Sequence, residues 1–284
     1  MLWILGIFIV VSCVLGGYAG SGGHIDGLWQ PLEFIIILGT AVGAMLTATT
    51  MDNIKAIPKA LGSLFKGPKY GKTAYTELLS VLYAAFKTIR TKGILEIEKH
   101  VENPKESAIF NEFKNFVNDD RAVTFLCDYL RMLTMGTESP TEVEAVMDEE
   151  LETMHEQAHS LPSVFQNIAE GLPALGIVAA VLGVIHTMGS ISQPPEVIGN
   201  LIATALVGTF AGILLSYGFV GPMANGMKAI NATDLKYFEA IKSGFIAHMH
   251  GYPPSVSVEF ARKTIYQEHR PSFYEVEEAT SKLA

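Results

Sequence analysis

Residues 172–186 read LPALGIVAAVLGVIH and residues 207–219 read VGTFAGILLSYGF, and these two stretches decide the fold. They belong to the apolar runs 172–191 and 198–222, and about 18 apolar residues are enough for a helix to cross a bilayer. Small residues recur in both runs at helical spacing, which lets two helix backbones approach closely in lipid. The sequence therefore predicts two neighbouring membrane-spanning helices.

Two further apolar runs lie ahead of this pair. Residues 1–19 contain no charged side chain, and residues 31–50 contain only Glu33, near the start of the run. The first run could instead be a signal peptide, but a signal peptide begins with basic residues, and no Lys or Arg precedes Lys55. We therefore predict four membrane-spanning helices.

The distribution of Lys and Arg predicts the orientation of these spans, because short cytoplasmic loops are enriched in both residues. Residues 20–30 and 192–199 contain neither, so these loops are predicted to lie outside. Residues 51–171 and the tail are predicted to be cytoplasmic, as are both termini. The supporting lysines follow the second and fourth spans: Lys55, Lys59, Lys66, Lys69, Lys72, Lys228 and Lys236.

The long loop between the second and third spans is predicted to be helical. Leu78, Leu82, Ala85 and Ile89 share one apolar face of a helix. Thr141 and Glu144 match a capping box, which predicts the start of another helix. The fold class is thus an all-α membrane protein with four transmembrane helices, a large helical cytoplasmic loop and a helical C-terminal tail. The predicted domain limits are 1–50, 51–171, 172–222 and 223–284.

The composition agrees with a membrane protein that also has a large soluble part. Hydrophobic residues make up 49% of the 284 residues and charged residues 17%, below the roughly 25% that is usual in soluble domains. The net charge of −9 argues against a nucleic-acid partner, because phosphate contacts need clustered Lys and Arg. Cys13 and Cys127 lie in different kinds of segment, so no disulfide is predicted.

The predicted spans contain few polar groups. They have no Asp, Lys or Arg, and Glu33 and His186 are placed near the outer ends. Proton conduction through lipid uses an ionisable group within the membrane. A hydroxyl such as that of Thr209 can order water or coordinate a cation, but it cannot carry a proton charge at neutral pH. If this chain conducts protons, the carboxylate must come from another chain.

One short motif suggests a different chemistry. His155 and His159, with Glu156 between them, match the pattern H-E-x-x-H of zinc proteases. Such a pattern arises often by chance, no convincing third ligand is placed, and the motif lies in an acidic amphipathic helix. The sequence therefore predicts no metal site and no enzyme activity, and an intramembrane metalloprotease remains an unfavoured alternative.

The two stretches quoted first resemble the third and fourth spans of the MotA family of flagellar stator proteins, within the MotA/TolQ/ExbB proton channels. Residues 147–151, MDEEL, and residues 258–263, VEFARK, also resemble that family. The resemblance implies an inner-membrane stator subunit in which several copies, thought to form a pentamer, surround a dimer of MotB. MotB supplies the membrane Asp that takes up the proton, and the MotA ring drives the rotor protein FliG.

The resemblance also assigns roles to residues of this chain. The family's rotor contacts fall on Arg90 and Glu98, its coupling prolines on Pro173 and Pro222, and its channel-facing hydroxyl on Thr209. From their positions at the span ends, both prolines are predicted to be helix punctuation at the cytoplasmic boundary.

The transported ion is predicted to be the proton, with no cofactor. Sodium-driven relatives tend to place Thr where Ala180 stands, and the methyl group of Ala180 offers no ligand to sodium. Ala180 and Thr209 are therefore the predicted residues of the ion pathway.

Two further alternatives come from the number of spans. Energisers of the ExbB or TolQ type resemble this chain in their two-span core, but they have three spans where four are predicted here. A secondary transporter would usually need more spans and broken helices. The sequence leaves open the ring size, the direction of rotation and whether the C-terminal tail docks.

Overall fold

The computed structural model describes residues 2–137 and 139–283, and within these ranges the helix is the predominant element and no β-strand occurs. Two short 3₁₀ turns, Ile25–Leu28 and Pro104–Glu106, and a π turn at Ser216–Val220 accompany the α-helices. The α-helices are α1 Leu2–Gly20, α2 Pro31–Ala48, α3 Met51–Lys66, α4 Lys72–Lys92, α5 Ile94–Glu102, α6 Lys114–Val117, α7 Asp120–Thr134, α8 Pro140–Met188, α9 Pro195–Leu215, α10 Gly221–Met249, α11 Pro254–Thr264 and α12 Phe273–Ser281.

Four helical segments are long and apolar enough to cross a membrane, which confirms the predicted fold class. Helices α1 and α2 match the first two predicted spans closely. The third predicted span is the C-terminal part of the 49-residue helix α8. The fourth is α9 together with the π turn, after which the chain continues directly into α10.

The chain packs as two compact units, and the limits of packing differ from the predicted domain limits. Helix α3 and the middle of α8 pack with the spans rather than with the rest of the loop. We call the two groups the first unit and the second unit. The first unit is Met1–Gly67 with Gln157–Ile230, and the second unit is Pro68–Glu156 with Asn231–Ala284.

The first unit is held together by apolar contacts among the spans. Ile37 and Ala41 of α2 pack with Leu172 and Ala179 of α8 and with Ala211 of α9. A second cluster connects α3 with α8 and α10, and its members are Leu64, Leu161, Phe165, Ala224 and Met227. The amphipathic helix α3 thereby becomes part of the membrane bundle.

The second unit is built around aromatic rings. Tyr70 stacks on Tyr237 with ring centroids 3.9 Å apart, and Phe238 lies edge-on to Tyr70 and to Phe125. The Tyr70 hydroxyl donates a hydrogen bond to Asp119 at 2.6 Å. Burial and the hydrogen bond to Asp119 raise the pKa of Tyr70 well above its ordinary value, so the hydroxyl stays a donor. The predicted apolar face of α4 is confirmed, because Leu78, Leu82 and Ala85 are fully buried, and Ile89 at its C-terminal end is half-buried.

The C-terminal tail docks within the second unit, a point that the sequence left open. Helices α11 and α12 both pack on α4. Lys72 of α4 pairs with Glu275 of α12 at 2.7 Å, and Ser272 and Glu275 form a capping box. Lys87 donates to the carbonyl of Leu283 at 2.9 Å. The tail is thus tied to α4 near both ends of α12.

Two helix boundaries have clear local causes. Gly93, at φ +89°, separates α4 from α5, since only glycine adopts this conformation without strain. The predicted capping box of Thr141 and Glu144 is wrong. The backbone N–H of Glu142 instead donates to the hydroxyl of Ser139, because the helix already begins at Pro140.

Candidate ion pathway and coupling site

Helices α8 and α9 touch through their backbones. A Cβ added to Gly212 would lie 2.6 Å from the carbonyl oxygen of Leu172 and 2.9 Å from the Cα of Gly176. A Cβ added to Gly176 would lie 2.7 Å from the carbonyl oxygen of Gly208. Real Cβ atoms do not approach backbone this closely, so the predicted packing role of the small residues holds for these three glycines.

The structure brings Ala180 and Thr209 to this contact. A Cβ on Gly208 would lie 3.3 Å from the backbone nitrogen of Ala180, and one on Gly176 would lie 3.3 Å from the Cα of Thr209. Both side chains are half-buried. The two residues predicted for the ion pathway therefore flank one close approach of α8 and α9.

A carboxylate also faces this contact, and the sequence did not predict its burial. Glu33 lies in the first turn of α2, as expected, but its side chain is only 8% exposed. A Cβ on Gly208 would lie 3.1 Å from Oε2 of Glu33, and one on Gly183 would lie 3.6 Å from Oε1. Within the described part of the chain, the buried Oε2 has no hydrogen-bond partner. Glu33 is thus an ionisable group enclosed by three helices.

Pro173 and Pro222 do not end helices, so the predicted punctuation is wrong. Pro173 lies inside α8, and Pro222 is the second residue of α10, directly after the π turn. Proline has no N–H, so Pro173 cannot bond to the carbonyl of Ala169 one turn earlier. The hydroxyl of Ser216 donates to that carbonyl at 2.5 Å, and Ser216 is only 2% exposed. Helix α8 can continue through Pro173 because a residue of the π turn replaces the missing donor.

The two prolines therefore belong to one connected feature, which we call the proline hinge: Pro173, Ala169, Ser216 and Pro222. Beside it lies a cavity of about 310 Å³, lined by Ala169, Ser216 and Pro222 among other residues. The π turn is closed by the N–H of Gly221, which donates to the carbonyl of Ser216. Single π turns inside α-helices often occur at functional sites.

The predicted rotor contacts lie in the second unit. Arg90 near the end of α4 and Glu98 of α5 are both exposed. The neighbouring Lys87 differs from Arg90, because its side chain is half-buried and donates a hydrogen bond to the tail. The ring of His248, beyond the predicted spans, stacks on Phe86 with centroids 4.4 Å apart. Burial, and then the charge of Arg90, lower the pKa of His248 to about 4, so this ring is neutral at physiological pH.

The H-E-x-x-H pattern of His155 and His159 is not part of a metal site in the described residues. His155 is exposed and His159 is half-buried on α8. In residues 2–137 and 139–283, no group of three or more His, Cys, Asp or Glu side chains is placed to hold a metal ion.

Comparisons with known proteins agree with this architecture. Residues 118–240 match the MotA/TolQ/ExbB proton channel family, and residues 4–93 match the N-terminal family of motility protein A. Motility protein A of Salmonella typhimurium is 41% identical over 278 residues, which cover 98% of this chain and 94% of the relative. Chemotaxis protein LafT of Vibrio parahaemolyticus is 33% identical over 96% of both chains. The chain belongs to the motility protein A family.

A solved structure confirms the fold. The C. jejuni MotAB structure matches with a TM-score of 0.77 at 23% identity, and the match covers 95% of this chain and 98% of that one. The flagellar MotAB stator complex of Bacillus subtilis matches with a TM-score of 0.68 over 90% and 92% of the two chains. Together with the four apolar helices, the family places this chain in the inner membrane as a multi-pass protein.

Proposed function

We propose that this chain is a stator subunit of a flagellar motor that conducts protons with a MotB dimer and turns the rotor protein FliG. The observation that carries the proposal is the 41% identity to motility protein A over almost the whole chain, spans and loop alike. An energiser of the ExbB or TolQ type is the second candidate, because one matching family includes all three classes. Four apolar helices favour the stator, since the energisers are expected to have three.

The experiment is complementation of a non-motile strain that lacks its own stator. Expression of this chain with its MotB-type partner should restore swimming, whereas expression of either chain alone should not. Rescue of outer-membrane energisation without rescue of swimming would favour the second candidate. The proposal includes no enzyme activity and no cofactor.

The partners are proposed to be a MotB dimer, FliG, membrane lipid and further copies of this chain in a pentamer. The two solved MotAB structures support the MotB partnership. The mass of the purified complex tests the stoichiometry, because five copies of a 30.8 kDa chain dominate it. A complex with a different number of these chains would contradict the pentamer.

Both termini and the loop of residues 51–171 are proposed to be cytoplasmic. Helix α3 supports this orientation, because it is amphipathic, contains Lys55, Lys59 and Lys66, and packs with the spans. A single cysteine introduced in residues 192–199 should react with an impermeant reagent in intact cells. Reaction of a cysteine at Gly67 instead would reverse the orientation.

The proposed ion is the proton, with sodium as the alternative. Ala180 and Thr209 flank the contact of α8 and α9, where Ala180 contributes a methyl group and the backbone rather than a hydroxyl. Swimming speed should be independent of external sodium and should fall when a protonophore is added. Strict dependence on sodium would overturn the assignment.

Pro173 and Pro222 are proposed to couple movement of the spans to the rest of the chain. The proline hinge supports this, because the Ser216 hydroxyl holds α8 at a point where the helix has no backbone bond of its own. The change Pro173→Ala would supply an N–H that competes for the same carbonyl and stiffens the hinge. Both Ala variants should insert and bind MotB, yet fail to turn the motor, and loss of either variant from the membrane would indicate a structural role.

Arg90 and Glu98 are proposed to contact FliG through charge. Both are exposed, and an isolated surface ion pair contributes only about 0–1 kcal/mol, so such a contact can form and release repeatedly. Arg90→Glu should impair swimming, and a matched charge reversal on FliG should partly restore it. Lys92 is an exposed lysine nearby, so neutralising Arg90 should do less harm than reversing its charge. Normal swimming of Arg90→Glu at ordinary load would remove Arg90 from the contact.

A further inference from the structure

We propose that Glu33 is a proton-binding site of this chain inside the membrane and a step on the proton path. The inference rests on the proposed stator function but adds a residue that the resemblance does not assign. It starts from a contact that sequence spacing does not reveal. The carboxylate of Glu33 in α2 lies against Gly183 of α8 and Gly208 of α9, and only 8% of the residue is exposed.

At the two glycines that it contacts, this carboxylate has alanine side chains and backbone atoms as neighbours. The atoms that crowd Gly183 and Gly208 around it are the Cβ atoms of Ala205 and Ala179 and backbone atoms. Burial of a polar atom without a hydrogen bond is unfavourable, and burial of a charge is far more so. Binding of a proton at Oε2 removes the charge, so occupancy of this site changes the energy of the three-helix contact.

Other ionisable groups of the neighbouring elements do not pair with Glu33. His186 on α8, Glu196 on α9, and His24 and Asp26 ahead of α2 are all exposed. In the described part of the chain none of them reaches the buried Oε2. The site therefore has one carboxylate and no second charged ligand.

This environment fits a proton better than a metal cation. Sodium and calcium need several oxygen ligands, whereas a proton needs a single basic atom. Gly208, which contacts the Glu33 carboxylate, also contacts the backbone of Ala180 and directly precedes Thr209 in α9. Ala180 and Thr209 are the two residues proposed for the ion pathway. A hydronium ion would give its proton to Oε2 and leave as water. The proton would then pass to the next acceptor, the carboxylate of the MotB-type partner, and the Glu33 carboxylate would be restored.

The direct test is an infrared titration of the complex with its MotB-type partner in lipid. A protonated carboxyl has a C=O stretching band that an ionised carboxylate lacks. Wild type should show such a band that titrates with pH, and Glu33→Gln should lose it. Glu196→Gln is the matched control, because Glu196 is exposed on α9, and this variant should keep the band.

The functional arm measures proton flux and swimming. Glu33→Gln keeps the size of the side chain, so it should insert and bind the partner but lose proton flux, while Glu33→Asp should retain part of it. Wild-type flux and an unchanged band in Glu33→Gln would overturn the proposal and leave Glu33 as a packing residue. If Glu33→Gln does not insert, Glu33→Asp decides, because a shifted band supports the site and an unshifted band overturns it.

The two proposals fail in different ways. If wild type does not restore swimming to the stator-deletion strain, the stator function fails. The infrared titration still decides whether Glu33 binds a proton. If wild type swims and no titrating band belongs to Glu33, the stator function stands and this inference fails. This second outcome would arise if a hydrogen-bond donor of the partner chain were bonded to Oε2 of Glu33.

Discussion

The two units of this chain pack by different means. In the first unit, α8 and α9 meet through glycines, and their backbones lie within contact distance at Gly176, Gly208 and Gly212. In the second unit, α4, α7 and α10 meet through large rings, such as Tyr70, Tyr237 and Phe238. The first arrangement depends on the absence of side chains at the three glycines, and the second depends on large aromatic side chains.

The difference follows from the solvent. Lipid tails are as apolar as a leucine side chain, so helices in a membrane gain little by burying large residues against each other and are held by close backbone packing. In water, burial of an aromatic ring supplies much of the stability of a core. The first unit should therefore be sensitive to enlargement of a residue, and the second to truncation.

The largest effect is expected from Gly212→Val. Two methyl groups would be added where even a Cβ lies 2.6 Å from the Leu172 carbonyl oxygen, and backbone cannot move aside as a flexible side chain can. The loss in the free energy of unfolding should be larger than the cost of ordinary overpacking, which is about 1–3 kcal/mol. The measurement is the amount of folded, partner-bound protein in the membrane. Gly43→Ala in α2 is the control, because a Cβ on Gly43 meets nothing within 4 Å in this chain. Equal yields of both variants would contradict backbone contact.

The second unit should show the opposite sensitivity. Phe238 is 2% exposed and packs edge-on against Tyr70 and Phe125, so Phe238→Ala should cost about 3–5 kcal/mol in the free energy of unfolding. Thermal unfolding of the purified protein, followed by near-ultraviolet circular dichroism, measures the change. Tyr274→Ala, at a residue 78% exposed, should stay within about 0.5 kcal/mol of wild type. Similar losses in both variants would mean that ring burial does not hold this unit.

Much of the fold could be predicted because it depends on local patterns. Apolar runs gave four spans, and the face of Leu78, Leu82 and Ala85 predicted the buried side of α4. A helix needs only its own sequence to show which side is apolar. The glycine spacing likewise predicted a close helix contact, although not which three glycines bring the two backbones into contact.

The missed features all depend on residues distant in sequence. Pro173 was predicted to mark a helix boundary, because a proline removes a local hydrogen bond; the replacement donor, Ser216, comes from another helix. Glu33 was predicted to lie near an outer end, but burial by α8 and α9 is a tertiary property. Ser139 was passed over as a cap because Thr141 and Glu144 matched a local motif.

The proline hinge gives a prediction of intermediate size within the first unit. Ser216→Ala should cost about 1–3 kcal/mol, because the buried carbonyl of Ala169 would lose its donor. In a double-mutant cycle, Pro173→Ala should reduce that loss, because the new N–H at residue 173 can reach the same carbonyl. Unfolding of the four proteins in detergent measures the coupling. Additive effects would show that Ser216 does not replace the bond that proline removes.

The smallest effect is expected at the docked tail of the second unit, and it depends on pH. Hydrogen bonds from Lys72 and then from Ser272 lower the pKa of Glu275 from 4.5 to about 2. A carboxyl whose pKa is lower in the folded state stabilises that state above its unfolded pKa, and loses this contribution as protons bind. The docking of α12 should therefore be constant above pH 4.5 and should weaken as the pH falls from 4.5 towards 2.

Hydrogen exchange of the amides of Phe273–Ser281 measures this docking. Glu275→Gln should remove the pH dependence in this window, whereas Glu277→Gln, on the same helix, should keep it. Because both Lys72 and Glu275 are exposed, high salt should weaken the effect, and a salt-insensitive transition would assign it to another group.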